Sequence, residues 1–280
     1  MGEAARRWRQ LVRARMAEME RLQPGASPLA NPAFWDRRAR RFAAGPMRSA
    51  EGDPLLSRLR RAVTPARSLL DVGSGPGRFS LALAPRARSV VAVDPSRRML
   101  AILRREAREA NLGNIRTVTG AWEDVDVEPA DIVLCSYVLP LIAEAGPFLT
   151  KLDRSARHRV FLYLGAFASD AMADPFWRHF HGAPRRPGPS YLDAVAVLDE
   201  LGIRPDVEVV EVTVRTRHPT LEAAVENYRD ALVLAKTPAV RRELARLLEP
   251  WLQAADGGLR PPFRSHPAAV LSWSPAGAGR

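Results

Sequence analysis

Asp71, Gly73, Ser74, Gly75 and Gly77 follow one another closely, directly behind the apolar run Ser68-Leu69-Leu70. Glycines at alternate positions after a buried strand let a ligand lie against bare backbone, because no Cβ stands in the way. Asp94 closes a second apolar run, Val90-Val91-Ala92-Val93, 21 residues beyond Gly73. A carboxylate at that distance is placed to accept both hydroxyls of a ribose. A dinucleotide would want a third glycine at position 78, where Arg78 obstructs helix–strand packing and the approach of a pyrophosphate. Asp71, two residues ahead of the first glycine, instead suits a nucleoside with a cationic amino-acid end, held directly or through water.

Other reactive side chains are sparse. Cys135 is the sole cysteine, which excludes an internal disulfide and any multi-cysteine metal site. In Leu134-Cys135-Ser136 it reads as a small buried hydrophobe. His179 and His181 sit two apart with no carboxylate or cysteine motif to complete a metal site, so no metal is expected. As general bases toward a second substrate they, together with Tyr228, are the catalytic candidates.

The elements that must position these groups follow from periodicity. Residues 3–22 read as a helix with Trp8, Leu11, Val12, Met16, Met19 and Leu22 near helical spacing, broken by Pro24 to Pro28. A second helix is expected from Pro32 to Phe42, ended by Gly45-Pro46, and a short third around Pro54–Ala62. From Ser68 short apolar strands alternate with helices: strands at 68–72, 89–93, 115–119, 131–136 and 159–164, and a helix over 97–110 with Ser96 as its N-cap. Continuous apolar strands separated by helices imply a parallel sheet covered on both faces. After an irregular, aromatic segment at 168–190 come a helix at 191–201, a strand at 207–216, two helices split near Pro238, and a last strand at 268–273.

With the glycine loop, Asp71 and Asp94 in that strand–helix context, the sequence resembles the class I S-adenosylmethionine-dependent methyltransferases, over about residues 32–166 and the final two strands. The resemblance implies an α/β, doubly wound, Rossmann-like seven-stranded sheet, and S-adenosylmethionine as methyl donor. An N-terminal helical lid (1–67) would precede the core (68–280), with insertions at 168–190 and 218–265 and helices before the last strand. It makes Asp71, Gly73, Ser74, Gly75 and Gly77 the first donor motif and Asp94 the ribose acid, with Pro95 and Met99 beside it. Residues after the third strand would surround the adenine, here Ala121, Trp122 and Glu123. The family pattern has an aspartate where Ala121 stands; Glu123 would then bond the exocyclic amine and Trp122 cover the ring, or the two would serve as a packing residue and a surface acid. Ser136 and Tyr137, after the fourth strand, would line the methionine side.

The acceptor is the less legible half. Phe176, Trp177, His179, His181, Tyr191 and Tyr228 are expected to form an enclosed aromatic pocket for a small molecule, or else to pack a small core of their own. The alternative acceptor is RNA, approached by the basic N-terminus: residues 1–67 hold 15 arginines against 6 acids, whereas residues 166–280 are balanced. Only two of the 42 basic residues are lysines, a skew that reflects composition as readily as function. No run approaches the roughly 18 apolar residues of a membrane span, and the N-terminus lacks the apolar core of a secretory signal. A cytoplasmic enzyme without a membrane partner is expected.

Overall fold

The computed structural model describes residues 2–25, 33–45, 48–166 and 174–275, with the backbone alone for Arg41, Phe42 and Ala44. The expected breaks at Pro28 and Pro46, and the first part of the 168–190 segment, lie outside the described residues. Ten helices are described: α1 (Glu3–Leu22), α2 (Phe34–Ala44), α3 (Pro54–Ala62), α4 (Arg78–Leu83), α5 (Arg97–Glu109), α6 (Ala145–Arg154), α7 (Asp174–His181), α8 (Tyr191–Glu200), α9 (Leu221–Ala231) and α10 (Pro238–Leu248). The strands are β1 (Ser68–Val72), β2 (Ser89–Asp94), β3 (Ile115–Thr119), β4 (Ala130–Ser136), β5 (Ala156–Gly165), β6 (Asp206–Thr213), β7 (Gln253–Ala255), β8 (Gly258–Arg260) and β9 (Ser265–Trp273).

Seven strands form one sheet in the order β3-β2-β1-β4-β5-β9-β6, and β7 and β8 form a separate hairpin. β1 to β5 run parallel, while β9 lies antiparallel between β5 and β6. The order reverses between β1 and β4, so the crevice at their carboxyl ends is the topological switch point where such sheets bind ligands. β1 is buried along its whole length, which is why its sequence shows no polar alternation.

The two faces of the sheet are covered by different helices. Leu55, Leu56 and Leu59 of α3 and Phe79 and Leu83 of α4 pack on Leu69, Ile132, Phe161 and Tyr163. The other face carries α6, α8 and α1, whose Trp8, Val12 and Met16 join one core with Val133, Leu162 and Leu271. The Trp8 indole N–H also donates to the Ile142 carbonyl at 2.7 Å, and the Glu200 carboxylate accepts the Ala4 and Ala5 N–H groups at the start of α1. α1 is therefore a layer of the core, where the sequence suggested a separable lid. α7, α9 and α10 build a second apolar cluster, against which Met19 and Leu22 at the far end of α1 pack. Among the described residues no helix is long and apolar enough to cross a membrane.

Candidate functional site

β1 ends at Val72 and the chain turns through Gly73–Gly77 into α4. The Gly73 and Ser74 N–H groups both donate to the Val93 carbonyl, at 2.8 and 3.0 Å, which pins the loop to the end of β2. Gly73, Gly75 and Gly77 have φ of 70°, 54° and 94°, a region that side chains disfavour. A Cβ on Gly73 would strike Val138 and one on Gly77 would strike Leu103, each at 2.2 Å, whereas one on Gly75 would meet nothing within 4 Å. The outer two glycines thus answer the protein's own packing, and the middle one presents bare backbone to open space.

Asp94 stands directly against this loop. Its Oδ2 accepts the Gly75 N–H at 2.9 Å and its Oδ1 accepts the Ser96 N–H at 2.8 Å, leaving further lone pairs on both oxygens. Burial raises its pKa to about 6 despite those bonds. The Ser74 hydroxyl is buried with no hydrogen-bond partner among the described residues, a polar atom waiting for one. Asp71 lies beneath the loop, only 2% exposed, and accepts the Ser80 hydroxyl of α4 at 2.6 Å. Burial raises it too to about 6, with a smaller contribution from Asp94. Its first role is to hold α4 to the loop.

The remaining donor candidates divide. The Gly120 N–H donates to the Asp94 carbonyl at 3.1 Å, which brings half-buried Ala121 beside the ribose acid. Met99 is buried and its N–H is held by the Ser96 hydroxyl at 3.1 Å, while Pro95 is exposed. Glu123 is exposed. Trp122 is buried in the core, with the Lys151 ammonium 4.7 Å from its ring centroid. That ammonium donates to the carbonyls of Trp122, Glu123 and Val125, so Trp122 is a packing residue in a loop clamped by α6. Ser136 and Tyr137 lie at the carboxyl end of β4, and Val138 is the side chain that meets Gly73.

The catalytic candidates are not gathered around this loop. His179 is exposed and its Nε2 pairs with Glu243 at 2.8 Å; His181 Nε2 pairs with the Leu232 carbonyl at 2.8 Å. Tyr228 is buried among Phe176, His218 and Trp251, at centroid distances of 5.7–5.9 Å. With Trp177 it belongs to the cluster of α7, α9 and α10, and Tyr191 packs against the sheet core instead. Of the two expected arrangements, an enclosed aromatic pocket or a small core of their own, Phe176, Trp177 and Tyr228 take the second. Cys135 is fully buried and its pKa is raised by burial, in keeping with a hydrophobe.

Three groups near the loop escaped the sequence reading. Asp36 of α2 accepts the Ser96 hydroxyl at 2.5 Å and the Arg98 N–H at 3.1 Å, which ties α2 to the start of α5 beside Asp94. Arg78, which argued against a dinucleotide, pairs with Asp53 at 2.5 Å. Tyr163 of β5 lies under Tyr137, with ring centroids 5.0 Å apart. Asp53-Pro54, a helix-start pattern, is the sequence signal that could have pointed to Asp53.

Residues 69–158 match the family model described as a methyltransferase domain. An uncharacterized protein of Haemophilus influenzae is 33% identical over 135 residues, which span 47% of this chain and about half (49%) of that protein. Among solved structures, a candidate methyltransferase from Bacillus halodurans (BH2331) superposes with a TM-score of 0.54 at 17% identity, over 78% of this chain and 97% of that one. The YcgJ protein from Bacillus subtilis gives 0.53 at 16%, with the same coverage. The strand order, the antiparallel β9 and these superpositions make the fold that of the class I methyltransferases.

Proposed function

We propose that this chain, whose residues 69–158 are a methyltransferase domain on the class I fold, transfers the methyl group of S-adenosylmethionine to a small molecule. The observation that carries the reading is the pairing of Asp94 with the Gly75 N–H beneath a point where the loop meets open space. Asp94 would hold the ribose hydroxyls, the bare backbone at Gly75 would admit the donor, and Ser74 would supply a hydroxyl to its amino-acid end. The bound donor supplies an electrophilic methyl on a positive sulfur; the chain's own part is to orient the acceptor and exclude water.

A small acceptor is favoured over RNA by what the N-terminal arginines do. Arg7 pairs with Asp193, Arg9 and Arg13 with Glu144, and Arg58 of α3 with Glu208 of β6. Part of the basic surplus of the N-terminal segment thus docks α1 and α3 to the core. A continuous phosphate-binding face would require it elsewhere.

Calorimetry tests the donor half. S-adenosylmethionine or its demethylated product should bind, with NAD unable to compete. Asp94→Ala should weaken binding by about 1–3 kcal/mol, the usual loss for hydrogen bonds to a charged group. Unchanged affinity in a folded Asp94→Ala protein would remove the assignment. Salt-sensitive binding of RNA by the parent chain would transfer the acceptor assignment to nucleic acid.

A further inference from the structure

The first turn of α5 has two acceptors. Ser96 caps the helix, its hydroxyl accepting the Met99 N–H at 3.1 Å. The second comes from α2, 60 residues away in the chain: Oδ1 of Asp36 accepts both the Ser96 hydroxyl at 2.5 Å and the Arg98 N–H at 3.1 Å. With its proton committed to Asp36, the Ser96 hydroxyl keeps a lone pair turned toward Met99. A carboxylate at the positive end of a helix needs no further reason than capping. The direction in which this turn leads supplies one. The Ser96 N–H donates to Asp94 Oδ1 at 2.8 Å, and the other Asp94 oxygen accepts the Gly75 N–H at 2.9 Å. A chain of hydrogen-bonded residues thus runs from α2 through Ser96 and Asp94 to the bare backbone of the glycine loop.

The charge of Asp36 reaches the same group. The Ser96 hydroxyl, ahead of the Arg98 N–H and the charges of Arg98 and Arg97, holds the Asp36 carboxyl below its usual range. It is therefore ionised wherever Asp94 titrates, and after burial its charge is among the causes that raise Asp94 to about 6. Asp36 acts on Asp94 in two opposed ways, orienting it through Ser96 and resisting its ionisation. The other charged groups here are Asp71 beneath the loop, Arg97 and Arg98 of α5, and Arg37, Arg38 and Arg40 on the helix of Asp36 itself. α2 packs chiefly on α5, and its buried Phe34 and Ala39 stand on either side of Asp36 in the sequence.

We infer that Asp36 is a positioning residue of the donor site: from α2 it fixes Ser96, and through Ser96 the orientation of the ribose acid, so that donor binding and the seating of α2 on α5 are coupled. This rests on the reading of the donor site above. Such coupling is reciprocal. If the seated helix improves donor affinity, the bound donor must steady the helix by the same factor.

The test is binding of S-adenosylhomocysteine to the full chain between about pH 5 and pH 8. Asp36→Ala removes both hydrogen bonds and should weaken the ligand about tenfold at the upper end of that range. Asp36→Asn keeps an oxygen able to accept both bonds and removes the charge. Its affinity there should return to within about twofold of the parent, and the loss of affinity on acidification should be displaced to lower pH, because Asp94 then ionises more readily. A residue that only caps α5 would change the thermal transition and leave affinity and pH profile alone. Hydrogen exchange reads the reciprocal effect: S-adenosylhomocysteine should raise the protection of α2 amides in the parent and in Asp36→Asn, and not in Asp36→Ala. Parental affinity in a folded Asp36→Ala chain, an undisplaced pH profile in Asp36→Asn, or α2 amides indifferent to the ligand overturns the inference while the donor reading stands. Should Asp36→Ala fail to fold, the Asp36→Asn profile decides alone. Failure of S-adenosylhomocysteine to bind the parent chain overturns both.

Discussion

Gly75 and Gly77 share a left-handed backbone yet differ in what a side chain would meet, and that difference separates function from stability. Alanine at either position incurs roughly 1–2 kcal/mol for its conformation. Gly77→Ala adds a collision with Leu103, an overpacking cost of about 1–3 kcal/mol, so it should be clearly the less stable of the two in urea unfolding. Gly75→Ala should instead lose donor affinity out of proportion to its stability, as measured by calorimetry with S-adenosylhomocysteine. Asp71 and Asp94 offer a second contrast. Both are raised by burial from 3.8 to about 6, so the folded state binds more protons than the unfolded state between those values. Stability without donor should therefore fall as pH rises through that window and level off above about 6. Donor affinity should change in the opposite direction, because only ionised Asp94 accepts two ribose hydroxyls, and Asp94→Asn should flatten its pH dependence. The glycine loop and both acids stand out in the sequence, but their division of labour does not: Gly73 and Gly77 answer packing against Val138 and Leu103, and Asp71 accepts the Ser80 hydroxyl of α4. The role of Trp122 is no more legible, since an indole after β3 serves as well under a lysine as over a base.

At the scale of elements, α1 shows where sequence reading runs out. Its apolar stripe of Trp8, Val12 and Met16 declares a buried face, and periodicity cannot say whether that face closes over a ligand or forms a layer of the core. The structure gives it to the core: Trp8 is fully buried and its indole N–H is spent on Ile142. Trp8→Ala should cost about 3–5 kcal/mol, and removing α1 should abolish cooperative unfolding, whereas a detachable lid would leave the sheet folded. A folded chain lacking residues 2–22, with an unchanged thermal transition, would restore the lid. α6 has no counterpart among the elements read from the sequence because Gly146-Pro147 reads as a break. A proline in the first turn lacks only an N–H that has no intrahelical partner anyway, so the helix starts there unharmed. Strands were easier to place, for buried parallel strands announce themselves as uninterrupted apolar runs.

At the scale of the molecule, α1 is shared between one core of the sheet and the helical cluster. The sheet core takes the first turns of α1, and the cluster of α7, α9 and α10 takes its last, where Met19 touches both. The aromatic residues that suggested an acceptor pocket supply the cluster's interior, with Phe176 and Trp251 set edge-on at 5.0 Å and Tyr228 against both. Their types were legible and their partners were not, since an aromatic stripe satisfies a ligand or its own neighbours equally well. This arrangement predicts two levels of stability. Tyr228→Ala removes a buried ring and should cost the cluster about 3–5 kcal/mol, while Tyr228→Phe deletes only a hydroxyl with no hydrogen-bond partner among the described residues and should be neutral or stabilising. Hydrogen exchange resolves where the loss falls. In Tyr228→Ala, amides of α7, α9, α10 and the last turn of α1 should lose protection together, with β1, β4 and β5 still protected and S-adenosylhomocysteine still bound. If the sheet loses protection in step with the cluster, the two cores are one cooperative unit and α1 transmits the damage. If only donor affinity drops, Tyr228 belongs to the site after all.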